Sequence, residues 1–168
     1  MGPFFKFKIN IPKSHFYLLI CLSAFLSVAL ISWILVPFVF GTHLDQISKT
    51  NQENQREILA SNLATGKLSA YIGTNLFVIF FGIYLFLAYS KVKIGYLFYF
   101  FWIFVFCSMA GYPFFQGAEK LNNAELISGI FISIFSGLIV VVLIYSTYIY
   151  RLKRIITKYK LANGGFNA

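Results

Sequence analysis

The feature that most limits the fold of this chain is a set of four long segments without Asp, Glu, Lys, Arg or His. They cover residues 16–40, 68–90, 94–115 and 126–150 of the 168-residue sequence. Each exceeds the roughly 20 residues that a helix needs to cross a hydrocarbon core about 30 Å thick. None alternates polar and apolar residues as a membrane-spanning strand would, and a backbone inside lipid must satisfy its own hydrogen bonds. We therefore predict an all-α polytopic membrane protein, a four-transmembrane-helix bundle in a single membrane domain.

The composition agrees with this fold class. Apolar residues make up 59% of the chain and charged residues only 11%, whereas soluble domains average about a quarter charged residues. A soluble protein of this length could not cover its surface with so few charges. The net charge of +9 is expected to lie in cytoplasmic segments of a membrane protein rather than to bind nucleic acid.

The distribution of Lys and Arg predicts the orientation. Ten basic residues and no acidic residue lie in the N-terminal segment, the connection 91–93 and the basic tail 151–168. The external loop 41–67 and the turn 116–125 hold the other four basic residues and all five acidic ones. By the positive-inside rule, both termini are predicted to be cytoplasmic, which places the protein in the cell inner (cytoplasmic) membrane. The first span, at 25 residues, exceeds the apolar core of a signal peptide and is expected to be retained.

Two segments outside the spans have helical patterns of their own. Spaced apolar residues in the external loop predict a helix that lies on the membrane surface or on the bundle; they are Leu44, Ile47, Ile58, Leu59 and Leu63. The tail repeats apolar residues at i, i+3, i+4 and i+7, which predicts a basic amphipathic helix on the anionic inner leaflet. Its predicted lipid-headgroup contacts are Arg151, Lys153, Arg154, Lys158 and Lys160.

The spans offer few groups for chemistry. Ionisable groups inside a membrane are typical of proton relays and transport sites, and the four segments contain no charged residue. Cys21 and Cys107 form no Cys-x-x-Cys motif and are expected to be packing residues. His15 and His43 are predicted on opposite sides of the membrane, so they cannot share a haem or a metal ion. We therefore predict a protein that is not an enzyme and that uses no metal or cofactor.

Small and polar residues mark the faces where helices are expected to meet. In the last span Gly129, Ser133 and Gly137 recur every four residues, and Ser136 widens the same face. A small-xxx-small seam of this kind lets another helix approach closely, either inside the bundle or from a partner. Asn75, in the second span, is expected to donate a hydrogen bond to a neighbouring helix or to a backbone carbonyl, with a ligand role as the alternative.

This arrangement resembles the inner-membrane immunity proteins that protect bacteria against pore-forming colicins. The likeness covers nearly the whole chain and is carried by the short Lys91/Lys93 hairpin, a long first external loop and the basic tail from Arg151 to Lys160. The resemblance implies a binding protein that recognises the membrane-inserted helices of a toxin through its own spans and loops.

Several functions remain open at this point. The first is a membrane-embedded protein that binds or modulates another membrane protein, such as an immunity protein or an assembly factor of a membrane complex. The second is a small transporter or channel component, for which a homo-oligomer with a pore lined by Ser and Asn is expected. An enzyme is the third. Spans free of charge favour the first function, with the anionic leaflet and either another membrane protein or toxin helices as partners.

Overall fold

The computed structural model describes residues 11–40, 53–90, 94–115 and 123–162. These ranges form four helices, and no strand occurs within them. The helices are α1 (Lys13–Phe40), α2 (Glu53–Ser90), α3 (Tyr96–Gly111) and α4 (Asn123–Ala162), and a 3-10 turn (Tyr112–Phe114) follows α3. The predicted all-α fold with a bundle of four transmembrane helices is confirmed.

Each helix contains a segment that is long and apolar enough to cross a membrane. The four segments are Lys13–Val36, Leu68–Ser90, Tyr96–Phe114 and Asn123–Thr157, the third of which includes the 3-10 turn. By length and composition, they define a multi-pass membrane protein. The predicted spans coincide with these segments except at their ends.

Two helices extend well beyond the predicted spans. Residues 53–67, assigned to the external loop by sequence, form the first turns of α2. Residues 151–162 of the tail continue α4 without a break. Both extensions are rich in residues with high helix propensity and contain no proline, so nothing in them ends the helix that the span has nucleated. Leu44 and Ile47 of the predicted surface helix lie outside the described residues.

The helix α3 is shorter than its predicted span because of its C-terminal sequence. Pro113 has no backbone N–H, so it cannot donate the hydrogen bond to the carbonyl four residues earlier that would continue the α-helix. The α-helix accordingly ends at Gly111 and the chain continues as the 3-10 turn. This turn brings Pro113 into the buried part of the bundle.

Helix α4 is the centre of the bundle, with α1 and α3 packed along it. Helix α2 lies against α1, and its backbone comes close to that of α3 at only a few positions. The core contains side chains from all four helices. The apolar residues with no exposed surface are Leu19, Leu26, Phe81, Leu85, Ala88, Phe106, Ile139 and Leu143.

Helix α2 is the least enclosed of the four spans. In the most apolar stretch of α2, only 17% is buried inside the bundle, against 33% for the corresponding stretch of α1, 39% for α3 and 33% for α4. A larger share of its apolar surface therefore faces outward than in any other described helix.

Candidate functional site

The 3-10 turn packs on the N-terminal end of the predicted seam on α4. Gly129 is buried, and a Cβ atom at this position would lie 2.9 Å from Cβ of Pro113. Carbon atoms do not approach this closely without displacing a neighbour, so the turn can pack on α4 only because residue 129 has no side chain. Gly129 thus belongs to an internal contact of the bundle.

Ser133 extends the same contact by a hydrogen bond between helices. Its hydroxyl donates to the backbone carbonyl of Ala110 at 2.5 Å. Ala110 lies in the last turn of α3, where the carbonyls lack partners within the helix. Ser133 therefore links α4 to the end of α3, next to the 3-10 turn that packs on Gly129.

The other two residues of the predicted seam behave differently. An added Cβ atom on Gly137 would meet no atom of the described residues within 4 Å, apart from its own helix backbone and chain neighbours, so no close helix approach depends on this glycine. Ser136 is fully buried, and its hydroxyl has no hydrogen-bond partner among the described residues. The close contact thus covers Gly129 and Ser133 and does not reach Gly137.

Asn75 binds the backbone of its own helix. Its side-chain amide donates to the carbonyl of Tyr71 at 3.0 Å, and the residue is half-buried rather than buried. Of the two expected partners, a neighbouring helix and a backbone carbonyl, the structure has the second. The nearby hydroxyl of Thr74 is likewise engaged by the carbonyl of Ala70 at 2.6 Å. Hydroxyls that bond to the carbonyl four residues earlier are satisfied locally and leave little polarity for a ligand.

A buried acidic residue was placed in a loop by sequence. Glu125 lies in the first turn of α4 and is only 2% exposed, and its backbone carbonyl accepts a bond from the Ser128 hydroxyl at 3.0 Å. A negative charge in the first turn of a helix is stabilised by the helix dipole. The sequence signal for this position is an acidic residue directly before a long apolar run, as is common in the first turn of a helix.

At the opposite end of the bundle, a polar contact joins α1 to α4. Nδ1 of His15 lies 2.8 Å from the Ser146 hydroxyl, in a hydrogen bond whose direction depends on the histidine tautomer. The imidazole also contacts the ring of Tyr145, at a centroid distance of 5.3 Å. On the other side of α1, the Phe16 ring stacks on that of Tyr89 in α2 at 4.6 Å. His15 is thus a residue that holds helices together.

The basic tail projects from this same end. Arg151 and Lys153 are exposed, and the guanidinium of Arg154 lies 5.7 Å from the centroid of the Tyr96 ring. The tail also exposes apolar side chains beside these charges, namely Leu152, Ile155, Ile156 and Tyr159. Lys158 and Lys160 belong to the helix, but their side chains lie outside the described part of the structure. A surface with both features suits the boundary between headgroups and acyl chains.

A lateral pocket of about 350 Å³ separates α2 from α3 in the half of the bundle that contains the 3-10 turn. Its buried floor consists of Leu30, Trp33, Met109, Pro113 and Ile132. Its rim consists of exposed residues, Phe77 on α2 together with Phe104, Ser108 and Tyr112 on the opposite side. A buried floor with an exposed rim means that the pocket opens sideways, toward the surroundings of the bundle.

The wall that α2 contributes to this pocket is made of small residues. Ala70, Gly73 and Thr74 line it and are half-buried. A Cβ atom on Gly73 would meet no atom of the other described helices within 4 Å. The pocket could not be predicted from the sequence. Its residues come from all four helices and the 3-10 turn, and no spacing along one helix connects them.

Trp33 in the floor of the pocket has an unpaired polar group. The residue is 5% exposed, and its indole Nε1–H has no hydrogen-bond acceptor among the described residues. Its ring meets that of Tyr112 edge-on at a centroid distance of 6.0 Å. A buried donor without an acceptor costs about 1–3 kcal/mol.

The outward face of α2 presents a regular row of apolar side chains, which we call the α2 stripe. Its members are Ile72, Leu76, Ile79, Ile83 and Phe86, each about half exposed or more. Their spacing alternates between four and three residues, which is the spacing of side chains that meet a second helix in a coiled coil. The stripe lies apart from the pocket, whose α2 residues are Ala70, Gly73, Thr74 and Phe77.

Groups for metal or redox chemistry are sparse in the described ranges. No cluster of three or more His, Cys, Asp or Glu side chains that could hold a metal ion occurs there. Cys21 and Cys107 are free and exposed, on α1 and α3, so the expectation that they pack inside the bundle is wrong. Comparisons with protein-family models, with curated proteins and with solved structures find no match to this chain.

Proposed function

We propose that this protein is a non-enzymatic membrane-embedded binding protein that recognises apolar helices of another membrane protein. Its specific role in this proposal is immunity to a pore-forming bacteriocin, whose membrane-inserted helices it contacts. The observation that carries the proposal is the exposure of α2, whose membrane window is only 17% buried.

The α2 stripe supplies the contact surface. Helices associate inside a membrane through close packing rather than through the hydrophobic effect, because lipid tails are as apolar as the side chains. A row with coiled-coil spacing on a span held from one side offers that packing to an incoming helix. Specificity then follows from the shapes of Ile72, Leu76, Ile79, Ile83 and Phe86, because one toxin helix fits this row better than another.

The orientation in this proposal has both termini in the cytoplasm of a cell with an inner membrane. The ten basic residues on the predicted inner side and the four on the outer side support it. Single cysteines at positions 49 and 120 of a chain lacking Cys21 and Cys107 should react with an impermeant maleimide added to intact cells. Cysteines at positions 92 and 164 should react only after permeabilisation, and labelling of position 92 in intact cells would contradict this orientation.

The tail in this proposal rests on the anionic inner leaflet through its basic residues. A peptide of residues 151–161 should bind anionic vesicles, gaining up to about 1 kcal/mol for each basic residue near the surface. Binding should weaken between 0.1 M and 1 M salt, because the Debye length falls from about 10 Å to about 3 Å. Equal binding to neutral vesicles would refute this electrostatic account.

A protection assay tests the function itself. The full chain, expressed in a sensitive strain, should protect it from the pore-forming toxin encoded beside its own gene and not from unrelated ones. Ile79→Trp alters the α2 stripe and should lower protection at least about tenfold, which corresponds to 1.4 kcal/mol of lost binding. Val141→Trp is the matched control, because Val141 is a β-branched residue that is 61% exposed on α4.

Three outcomes would count against the immunity function. They are the absence of protection against a neighbouring toxin, the absence of a toxin gene, and equal effects of the Ile79 and Val141 variants. A photo-crosslinker at position 79 separates the alternatives. A cross-link to the toxin's pore-forming domain supports immunity, whereas a cross-link to a second copy of the chain favours the transporter or channel component.

A further inference from the structure

We propose that the lateral pocket between α2 and α3 binds one acyl chain of a membrane lipid. In this site, the carbonyl oxygen at the head of the chain accepts a hydrogen bond from Nε1–H of Trp33. The site is separate from the α2 stripe, so it does not depend on the proposed function.

The walls of the pocket select an apolar ligand. Its floor includes Leu30, Met109 and Ile132, which are 3%, 7% and 2% exposed. Its volume of about 350 Å³ is more than twice that of an engineered apolar cavity of about 150 Å³ that stays free of water and binds benzene. A chain of methylene groups matches both the size and the chemistry of this space.

The pocket opens where such chains are the surrounding medium. Its rim includes the exposed side chains of Phe77 and Phe104, 45% and 73% accessible, and both residues lie inside apolar membrane segments. At this depth the medium outside the rim consists of acyl chains. No water-soluble ligand has access to the opening from the side.

The depth of the pocket matches one leaflet. Trp33 lies seven residues inside the end of the apolar run 16–40, which corresponds to about 10 Å along the helix. Ile132 lies six residues inside the start of the apolar run 126–150, which corresponds to about 9 Å. Half of a hydrocarbon core about 30 Å thick is about 15 Å, so the floor of the pocket lies among the acyl chains of one leaflet.

Trp33 supplies the polar contact that fixes the head of the chain. Trp33 lines the pocket, and its indole N–H has no acceptor among the described residues. The two hydroxyls that also line the pocket are engaged in their own helices, Thr74 with the carbonyl of Ala70 and Ser108 with that of Phe104. The ester or carboxyl carbonyl at the head of an acyl chain is an acceptor that such a ligand itself carries.

Fluorescence quenching of Trp33 tests the site. The chain has two tryptophans, so Trp102→Phe leaves Trp33 as the only one. This variant is reconstituted into phosphatidylcholine vesicles with an increasing mole fraction of dibrominated acyl chains, which quench indole fluorescence on contact. Quenching should saturate at a low mole fraction, because a bound chain is in permanent contact with the indole. Adding Gly73→Leu, which places a side chain in the pocket, should raise the half-saturating fraction at least about tenfold.

Gly82→Leu is the matched control on the same helix. Gly82 does not line the pocket. As at Gly73, an added Cβ atom would meet no atom of the other described helices within 4 Å. Its quenching curve should equal that of the parent. Quenching that rises in proportion to the brominated fraction, with the same curve for both glycine variants, would overturn the site.

Two further arms keep the result interpretable. If Trp102→Phe or Gly73→Leu lowers the helix content, native mass spectrometry replaces the quenching measurement. It compares the parent chain with the single variant Ser108→Phe, which narrows the rim of the pocket. Loss of one retained lipid relative to the parent supports the site, and equal lipid retention contradicts it. Brominated phospholipid and brominated free fatty acid, added separately to unlabelled vesicles, then distinguish the source of the chain.

Discussion

Helix α3 meets two neighbours near its C-terminal end, and the two contacts differ although small residues line both. Toward α4, Gly129 admits Pro113 and the Ser133 hydroxyl binds the carbonyl of Ala110. Toward α2, the small residues Ala70 and Gly73 face a pocket of about 350 Å³. A glycine therefore permits close packing but does not cause it.

The two contacts differ because the side chains elsewhere along each helix pair set different distances between the helices. One helical turn beyond Phe77, the Phe81 ring of α2 packs against the rings of Trp102 and Phe106 of α3, with centroid distances of 4.9 Å to each. Bulky side chains at a contact increase the distance between helix axes. The small residues of α2 cannot span the gap that the rings impose, so the contact between α2 and α3 is aromatic at one end and open at the other.

Removing the Phe81 ring is the strongest test of this explanation. Phe81→Ala should lower the free energy of unfolding by about 3 kcal/mol, the lower end of the range for Phe→Ala in a core. We expect the lower end because the separated helices stay in lipid and lose packing rather than burial. Thermal unfolding in detergent measures the effect.

Phe80→Ala is the control for this change, because Phe80 is the adjacent residue on α2 and is 58% exposed. Its effect should be small. If both variants unfold at the same temperature, the Phe81 ring does not hold α2 against α3.

A side chain at Gly129 should break the closed contact between α3 and α4. Gly129→Leu forces its Cβ against Pro113 and should cost about 1–3 kcal/mol by overpacking. Gly137→Leu is the matched control, because a Cβ atom on Gly137 would meet no atom of the other described helices within 4 Å. Denaturant or thermal unfolding in detergent compares the two, and equal destabilisation would mean that the 3-10 turn does not rest on Gly129.

The hydrogen bond of Ser133 should have the smallest effect. Ser133→Ala removes a bond between helices and should cost about 0.6–1.7 kcal/mol in a membrane protein. Ser32→Ala removes a hydroxyl that bonds to the Val28 carbonyl within α1 at an exposed position, so its cost should be close to zero. An identical unfolding temperature for the two variants would contradict a stabilising role for the bond between α3 and α4.

Part of the candidate site could be predicted from sequence because it depends on spacing along one helix. Gly129 and Ser133 are recognisable as a place of close approach in any helix that carries them. Gly137 satisfies the same spacing but makes no close contact, although α3 continues along α4 past this position, as the contact between the Tyr99 and Tyr150 rings shows. Whether a small residue is used depends on how closely the neighbouring helix approaches it.

The sequence by itself determined that this chain is an all-α protein with four membrane-spanning helices. The reason is energetic and local. A charge or an unpaired backbone group in lipid is unfavourable, and each segment avoids both through its own composition and its own helical hydrogen bonds. The tertiary structure alone decided that α2 is the least enclosed span and that Glu125 is buried. It also decided that the floor of a lateral pocket contains Trp33, whose indole N–H has no acceptor among the described residues. These features depend on distances between helices, which side chains from several separate segments set together.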